Sequence, residues 1–174
     1  NLINVGRLVD QKDQMTLLKA LNRIKDKINF NLIIIGKGEE KIKLLNYIYK
    51  NDLSKYVKLL RYQNNPFNLI KSSDIFLLTS LYEGLPNVLL EAQALKTYII
   101  STNCPTGPRE ILLNGKAGSL FKVGDHKSLS NLLISFFKNK KKYSKKILIG
   151  YKNLHRFDYK NNLDSYLKEI NSIM

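Results

Sequence analysis

The sequence predicts an α/β fold in which a Rossmann-like parallel sheet of about six strands carries helices on both faces. Short apolar runs alternate with amphipathic stretches from one end of the chain to the other, which is the pattern of parallel strands joined by helical crossovers. The run Ile75–Leu78 is continuously apolar, as expected for a strand buried on both faces. With 174 residues, the chain has the size of one ordinary domain.

The predicted strands share short runs of Ile, Leu, Val, Phe and Tyr, residues that favour extended backbone and two-sided burial. They are Leu2–Val5, Asn31–Ile35, Val57–Leu60, Ile75–Thr79, Tyr98–Ser101 and Ser119–Phe121.

The segments between these strands carry apolar residues near helical spacing. In the first of them, Leu18 and Leu21 continue a stripe that begins at Met15. The predicted helices are Gln14–Lys25, Glu40–Lys50, Phe67–Ser72, Pro86–Leu95, Pro108–Asn114 and Ser128–Lys138. After Ser144 we expect only two closing helices, Ile147–Leu154 and Tyr159–Ile173.

Composition excludes several classes of site. Cys104 is the only cysteine, so no intrachain disulfide or cysteine-zinc cluster is expected, which fits a cytoplasmic protein. His126 and His155 stand far apart in the sequence and predict no metal site. No apolar stretch approaches the roughly 18 to 20 residues that span a bilayer. The chain opens directly on a predicted strand, so we expect it to be a piece of a longer protein with an N-terminal partner domain.

The net charge is +15, which favours binding of phosphates, anionic lipids or nucleic acid and does not discriminate among them. A general bias of the source genome toward lysine would produce the same excess. The basic cluster, defined as Lys138–Lys146, follows an apolar helix. It is a candidate for peripheral contact with an acidic membrane face, and the alternative is a solvated helix connection.

The loop after the first strand, Gly6–Lys12, carries two cations. The Arg7 guanidinium and the Lys12 ammonium lie five residues apart and can clamp a diphosphate. The alternative is that Arg7 pairs on the surface with Asp10 or Asp13.

The loop after the second strand contains Gly36 and Gly38, which let the backbone approach a ligand closely. This G-x-G is neither a dinucleotide fingerprint, since the third glycine is missing, nor a Walker loop. An ordinary strand-to-helix turn is the alternative.

The most informative segment is Glu83–Glu91, in which seven residues separate two carboxylates across a strand-to-helix turn. Pro86 is suited to the first helical position, and the following N–H groups of Asn87 and Val88 favour a phosphate. Glu91 can accept the paired hydroxyls of a ribose, and Glu83 those of a second sugar. The alternative is that Glu91 only solvates its helix.

Together these segments resemble the C-terminal, donor-binding domain of GT-B glycosyltransferases, in particular the retaining family 4, "glycosyl transferases group 1". The likeness covers nearly the whole chain. Its most specific part is Ser80–Ala92, and it continues through Ile100–Thr102 and Gly107–Leu112.

The resemblance implies roles for individual residues. Arg7 and Lys12 would hold the donor diphosphate, Glu91 the ribose, and Glu83 the transferred sugar. The backbone of the 84–88 segment would meet the phosphates and the sugar, and the loop after the third strand would frame the base. The residues of the 84–88 segment are Gly84, Leu85, Pro86, Asn87 and Val88, and those that would frame the base are Arg61, Tyr62 and Gln63.

The chain departs from the family pattern at two positions where members commonly have glycine, Arg61 and Lys96. Lys96 must therefore end its helix without the usual left-handed glycine. The run Cys104–Pro108 is similar to members that build surface polysaccharides or lipid-linked glycans with UDP-sugars.

The resemblance implies a donor domain that transfers a hexose or N-acetylhexosamine from a nucleotide sugar, with UDP expected and GDP left open. The acceptor would be a polysaccharide or lipid-linked glycan at the inner face of the membrane, with no metal and no cofactor. The alternative is a non-catalytic basic module for nucleic acid or anionic membrane. No nucleic-acid motif is present, so we expect no nucleic-acid partner.

Overall fold

The computed structural model describes residues 1–173 and forms a single sheet of six parallel strands, as the sequence predicts. The strands are β1 (Leu2–Val5), β2 (Leu32–Ile35), β3 (Val57–Leu60), β4 (Ile75–Leu78), β5 (Tyr98–Thr102) and β6 (Ser119–Phe121). Their order across the sheet is β3-β2-β1-β4-β5-β6. The chain order reverses between β1 and β4, and open α/β sheets bind ligands at the carboxyl edge beside such a point.

The helices lie on both faces of the sheet, which confirms the predicted layers. They are α1 (Gln14–Asn22), α2 (Lys41–Lys50), α3 (Phe67–Lys71), α4 (Asn87–Ala94), α5 (Pro108–Ile111), α6 (His126–Lys138), α7 (Ser144–Lys152) and α8 (Tyr159–Ile173). One apolar core contains side chains of α1, α2 and α6, and the other contains side chains of α3, α4 and α5. The two cores use alternate residues of the strands, for example Leu77 and Phe76 of β4.

Two predicted helices end earlier than expected. The helix predicted to reach Lys25 ends at Asn22, and its capping residue Arg23 is followed by turns. The helix predicted to reach Asn114 ends at Ile111, because Leu113 and Asn114 take left-handed φ angles of 50° and 53° that an α-helix does not accommodate.

The start of α4 and its end both depend on local backbone. Pro86 is the capping residue and not the first helical one, since its ψ of 91° is extended. At the other end, Lys96 takes the left-handed conformation itself, with φ 57°. Its ammonium lies 4.3 Å from the centroid of the Tyr151 ring, a cation–π contact that favours this unusual lysine position.

Residues 144–173 contain the two closing helices that were predicted, although the first runs from Ser144 to Lys152 and not from Ile147 to Leu154. Helix α7 packs on α4, where Gly150 allows close approach: a Cβ there would lie 2.9 Å from Gln93 Nε2. A 3-10 turn, Leu154–Phe157, then leads into α8. Among the described side chains of α8, the exposed apolar ones include Tyr159, Leu163, Tyr166, Leu167 and Ile170.

The basic cluster lies at the amino edge of the sheet, and part of it is engaged within the fold. Lys140 Nζ lies 2.7 Å from Oδ1 of Asp74, the residue before β4. Lys146 Nζ donates to the carbonyl oxygens of Gly115 at 2.9 Å and Gly118 at 2.8 Å, and burial lowers its pKa. Lys140 and Lys146 therefore make contacts within the fold. The amino edge is opposite to the edge where the strands' carboxyl ends meet.

We expect Lys146→Met to lower the free energy of unfolding by about 2 kcal/mol, since it removes two hydrogen bonds from a charged donor to backbone carbonyls. The exposed neighbour Lys145 is the matched control, and Lys145→Met should change stability by less than about 0.5 kcal/mol. Urea unfolding of the two variants measures the difference. Equal stability would mean that Lys146 does not tie α7 to the turn before β6.

Candidate active site

The candidate site lies at the carboxyl edge of the sheet, where the loops after β1 and β4 meet. Leu81 N donates to Gln11 O at 2.8 Å, and Gln11 Nε2 donates to Tyr82 O at 2.9 Å. Thr79 Oγ1 donates to Lys12 O at 2.9 Å. These bonds join the two loops into one unit, so the cations of the first loop and the carboxylate of the second are held in a fixed relation.

Lys12 and Glu83 form an ion pair at the centre of this unit. Lys12 Nζ lies 2.6 Å from Glu83 Oε1, and the two side chains are 17% and 7% exposed. Ser80 Oγ donates to the same Oε1, also at 2.6 Å. Glu83 Oε2 accepts no hydrogen bond from the described residues. One carboxylate oxygen is therefore anchored, and the other is available to a hydroxyl of a ligand.

Lys12 keeps binding capacity despite the ion pair. An ammonium has three donor hydrogens, and among the described residues the side-chain partner of Lys12 is Glu83. It can hold the carboxylate and still donate to a phosphate oxygen. Lys12 thus anchors Glu83, which is suited to a sugar hydroxyl, and also offers donors of its own to a diphosphate.

Arg7 is exposed at the mouth of the site. Its Nη2 donates to Gln11 Oε1 at 3.3 Å, and Gln14 Nε2 donates to the Arg7 carbonyl at 2.9 Å. Within residues 1–173, no ion pair joins Arg7 to Asp10 or Asp13, so the surface pairing considered from the sequence is not found. The guanidinium is connected to the Glu83 loop through Gln11, which donates to Tyr82 O, and among the described residues most of its donors have no partner.

The start of α4 faces the same loops. Asn87 and Val88 are its first residues, and such positions have N–H groups without a partner inside the helix. Gly84 and Leu85 form the exposed loop before it. Free N–H groups at a helix start favour a negatively charged ligand, so this position is suited to a phosphate, and the role of the segment stays a prediction.

Glu91 lies one turn into α4 and is half-buried. Its carboxylate has no hydrogen-bond or ion-pair partner among the described residues. Burial raises the pKa of this carboxyl group. A carboxylate that is partly removed from water and left without a donor is suited to accept hydroxyls from a ligand.

Gly6, Gly36 and Gly38 pack the β1 and β2 loops against each other. A Cβ on Gly36 would lie 2.0 Å from Gly6 O, and one on Gly38 would lie 2.2 Å from Leu8 O. Leu8 N donates to Lys37 O, and Glu40 N donates to Leu8 O, both at 2.9 Å. Gly36 and Gly38 are therefore required for contact between the two loops, which the G-x-G pattern alone did not reveal.

A cleft of about 480 Å³ opens next to these glycines. Its walls are Gly36, Lys37, Gly38, Lys41, Arg61 and Tyr62. The exposed Tyr62 ring has Lys37 Nζ 5.8 Å from its centroid. Gln63 does not line the cleft, and its amide donates to Arg61 O at 3.4 Å. The structure thus brings the β2 glycines together with Arg61 and Tyr62, but not with Gln63.

The loop after β5 supports Glu83 from the other side. Thr106 Oγ1 donates to the Glu83 carbonyl oxygen, and Thr102 Oγ1 donates to Ser80 O at 2.8 Å. Gly107, at φ 59°, lies so close that a Cβ would be 2.2 Å from Gly84 O. Sequence reasoning assigned no role to Gln11, Ser80 or Thr106. The sequence signal for these contacts was the Thr106–Gly107 pair that follows Cys104–Pro105.

Among residues 1–173, no group of three or more His, Cys, Asp or Glu side chains is placed to hold a metal ion. In the same range, no helix combines the length and apolar character needed to cross a membrane.

The strand order and the helices on both faces are those of the Rossmann-like fold found in GT-B glycosyltransferases. The chain belongs to the glycosyl transferases group 1 family, whose profile matches residues 1–153.

Two curated relatives and one solved structure illustrate the likeness. An uncharacterized glycosyltransferase of Methanocaldococcus jannaschii is 50% identical over 111 residues, which are 63% of this chain and 27% of that protein. The UDP-Gal:alpha-D-GlcNAc-diphosphoundecaprenol alpha-1,3-galactosyltransferase of Escherichia coli is 33% identical over 168 residues, covering 88% of this chain and 42% of that protein. The crystal structure of Anabaena HepE in complex with UDP matches with a TM-score of 0.88 at 21% identity, covering 98% of this chain and 48% of that one.

The chain therefore spans less than half the length of these relatives. At 21% identity, the likeness to HepE supports the fold alone.

Proposed function

We propose that this chain is the donor-binding domain of a retaining family 4 glycosyltransferase. It binds a UDP-linked hexose or N-acetylhexosamine, and the complete enzyme transfers the sugar to a polysaccharide or lipid-linked glycan. The observation that carries the proposal is the Glu83 carboxylate, anchored at Oε1 by Lys12 and Ser80 with Oε2 left open, beside the start of α4.

The donor lies along the carboxyl edge in this proposal. The base occupies the cleft at Arg61 and Tyr62, and the ribose hydroxyls bind Glu91. The diphosphate meets Arg7, Lys12 and the amides at the start of α4, and the sugar meets Glu83. The strand order supports this arrangement, because the cleft belongs to β2 and β3 whereas the Glu83 loop follows β4.

The residues act mainly through electrostatics. When the bond between the sugar and the diphosphate breaks, negative charge grows on the leaving phosphate. Arg7 and Lys12 stabilise that charge, and such preorganised stabilisation is usually the largest single contribution to catalysis. Glu83 orients the sugar through Oε2, and its anchored Oε1 keeps the carboxylate from turning away.

The choice of donor and acceptor rests on the comparisons. The E. coli relative uses UDP-galactose and a diphosphoundecaprenol-linked acceptor by its name, and HepE was crystallised with UDP. A UDP-sugar donor and a glycan or lipid-linked acceptor are therefore our proposal here, with a GDP-sugar as the second possibility.

We further propose that an N-terminal GT-B domain of the same protein supplies most of the acceptor site, and that the 1–174 chain, with its closing helices after residue 144, is one domain. The isolated chain should then bind a donor weakly and transfer nothing. A cytoplasmic position at the inner face of the membrane fits a lipid-linked acceptor, and the unengaged lysines of the basic cluster, Lys138, Lys141, Lys142 and Lys145, are the proposed peripheral contact.

The test is to titrate the ¹⁵N-labelled chain with UDP, GDP, ADP and a short DNA duplex at two salt concentrations. We expect selective amide shifts at Arg7, Lys12 and residues 83–91 with UDP or GDP, and discrimination among the bases at fixed salt. Binding to DNA that weakens steeply with salt, as counterion release requires, together with no nucleotide binding, would instead support the basic-module alternative and overturn the donor-domain proposal.

A further inference from the structure

The strand order arranges the parts of the donor in a line. Along the carboxyl edge, the base cleft lies at β2 and β3, the cations follow β1, and the Glu83 loop follows β4. The next strand in this direction is β5. An acceptor must come close to the sugar, and within this chain the loop after β5 is the next surface beyond the Glu83 loop. This reasoning rests on the proposed function.

A cavity of about 660 Å³ opens at this place. Its walls come from the loop after β5 and the turn after α5: Asn103, Cys104, Pro105, Thr106, Gly107, Arg109, Glu110 and Asn114. The cavity adjoins the Glu83 loop, because Thr106 Oγ1 donates to the Glu83 carbonyl and Gly107 contacts the backbone of Gly84. Its position relative to Glu83 is therefore fixed by the fold.

The charges on the cavity wall are not balanced. Arg109 is exposed and makes no hydrogen bond or ion pair with the described residues. The one carboxylate on the wall, Glu110, lies 3.6 Å from Arg156 Nη2, and Arg156 Nη1 also donates to the Glu110 carbonyl at 3.3 Å. Arg109 is thus the unpaired charge of the cavity, with polar Asn103, Thr106 and Asn114 around it.

From these features we infer that the cavity after β5 is an acceptor subsite in which Arg109 binds a phosphate of the acceptor. A guanidinium presents paired donors that match phosphate oxygens, and Arg109 lines the cavity without a partner among the described residues. The ligand class is an organic phosphate or diphosphate attached to the sugar that is extended. Arg109 is then a determinant of which acceptors are used, and it takes no part in holding the donor.

The test uses inorganic pyrophosphate as the probe, added to the ¹⁵N-labelled chain that is already saturated with UDP. UDP occupies the donor phosphate site, so any further binding reports a second site. We expect pyrophosphate to shift the amides of Thr106, Gly107 and Arg109. Arg109→Gln should weaken this binding about tenfold, which is the effect of losing one charge-assisted contact, and Arg109→Lys should retain part of it.

Lys122→Gln is the matched control. Lys122 is also an exposed cation at the carboxyl edge, one strand further along, and does not line the cavity. It should bind pyrophosphate as the parent chain does, and all three variants should bind UDP normally.

The outcomes are separable. Pyrophosphate shifts that are absent, that occur only at the basic cluster, or that are equal in Arg109→Gln and Lys122→Gln would overturn the subsite while leaving UDP binding intact. Failure of the parent chain to bind UDP would overturn the proposed function itself, and the subsite with it.

Discussion

Glu83→Gln is expected to lower sugar transfer by the full-length protein on the order of a hundredfold, while UDP affinity stays within about threefold. The amide keeps the shape of the side chain but removes the negative charge that orients the sugar, and the loss of one preorganised contact at a reacting centre is typically of this size. In the proposed arrangement the diphosphate and ribose do not contact Glu83 Oε2, so we expect binding of UDP to be retained. Steady-state kinetics and calorimetry measure the two quantities.

Glu91→Gln provides the matched comparison, because it makes the same chemical change eight positions later in the sequence. Here the expected effect is on nucleotide affinity, about tenfold weaker, since an amide accepts a ribose hydroxyl less strongly than a carboxylate does. Equal losses of UDP affinity in the two variants would contradict the separate roles that we assign.

The stability of Glu83→Gln must be measured alongside its activity. Glu83 is the counter-charge of a largely buried lysine, and removal of one partner of a buried pair is destabilising. Gln can still hydrogen-bond Lys12 and Ser80, so we expect a lower melting temperature with a folded protein at the assay temperature. Nucleotide binding that remains intact would separate the loss of transfer from unfolding.

The fold could be predicted from the sequence because its signals are local. All six strands lie within one residue of their predicted ends, since continuous apolar runs are distinct from the amphipathic stretches between them. The ends of α1 and α5 could not be placed in this way. The end of α5 is set by backbone conformation, because Leu113 and Asn114 take left-handed φ angles that the composition of the segment does not indicate. Helix α1 gives way to turns after Arg23.

The site was predicted less completely than the fold. Spacing and residue type identified Lys12, Glu83 and Glu91 as candidates. The ion pair between Lys12 and Glu83 joins residues 71 positions apart, and no local pattern indicates that they meet. The contacts of Gln11 and Thr106 are also non-local. Gln11 follows β1 and Thr106 follows β5, and both donate to backbone carbonyls of the loop after β4.

Gly36→Ala is expected to have the largest effect on stability, a loss of about 3 kcal/mol, which is at the upper end for overpacking at a closely packed position. Its Cβ would lie 2.0 Å from Gly6 O, and backbone cannot move aside as a flexible side chain does. For a chain of this size the melting temperature should fall by about 10 °C. Chemical denaturation and calorimetry test both values.

Gly6→Ala is the matched control, since it adds the same methyl group on the other side of the contact. A Cβ on Gly6 meets only the Lys12 side chain, at 3.8 Å or more, which is ordinary van der Waals distance, so stability should change by less than about 1 kcal/mol. If Gly36→Ala instead folds with unchanged stability but no longer binds UDP, the glycine serves approach of the ligand and not the packing of two loops. Loss of both properties together would mean that the β1 and β2 loops must be in contact for the nucleotide cleft to form.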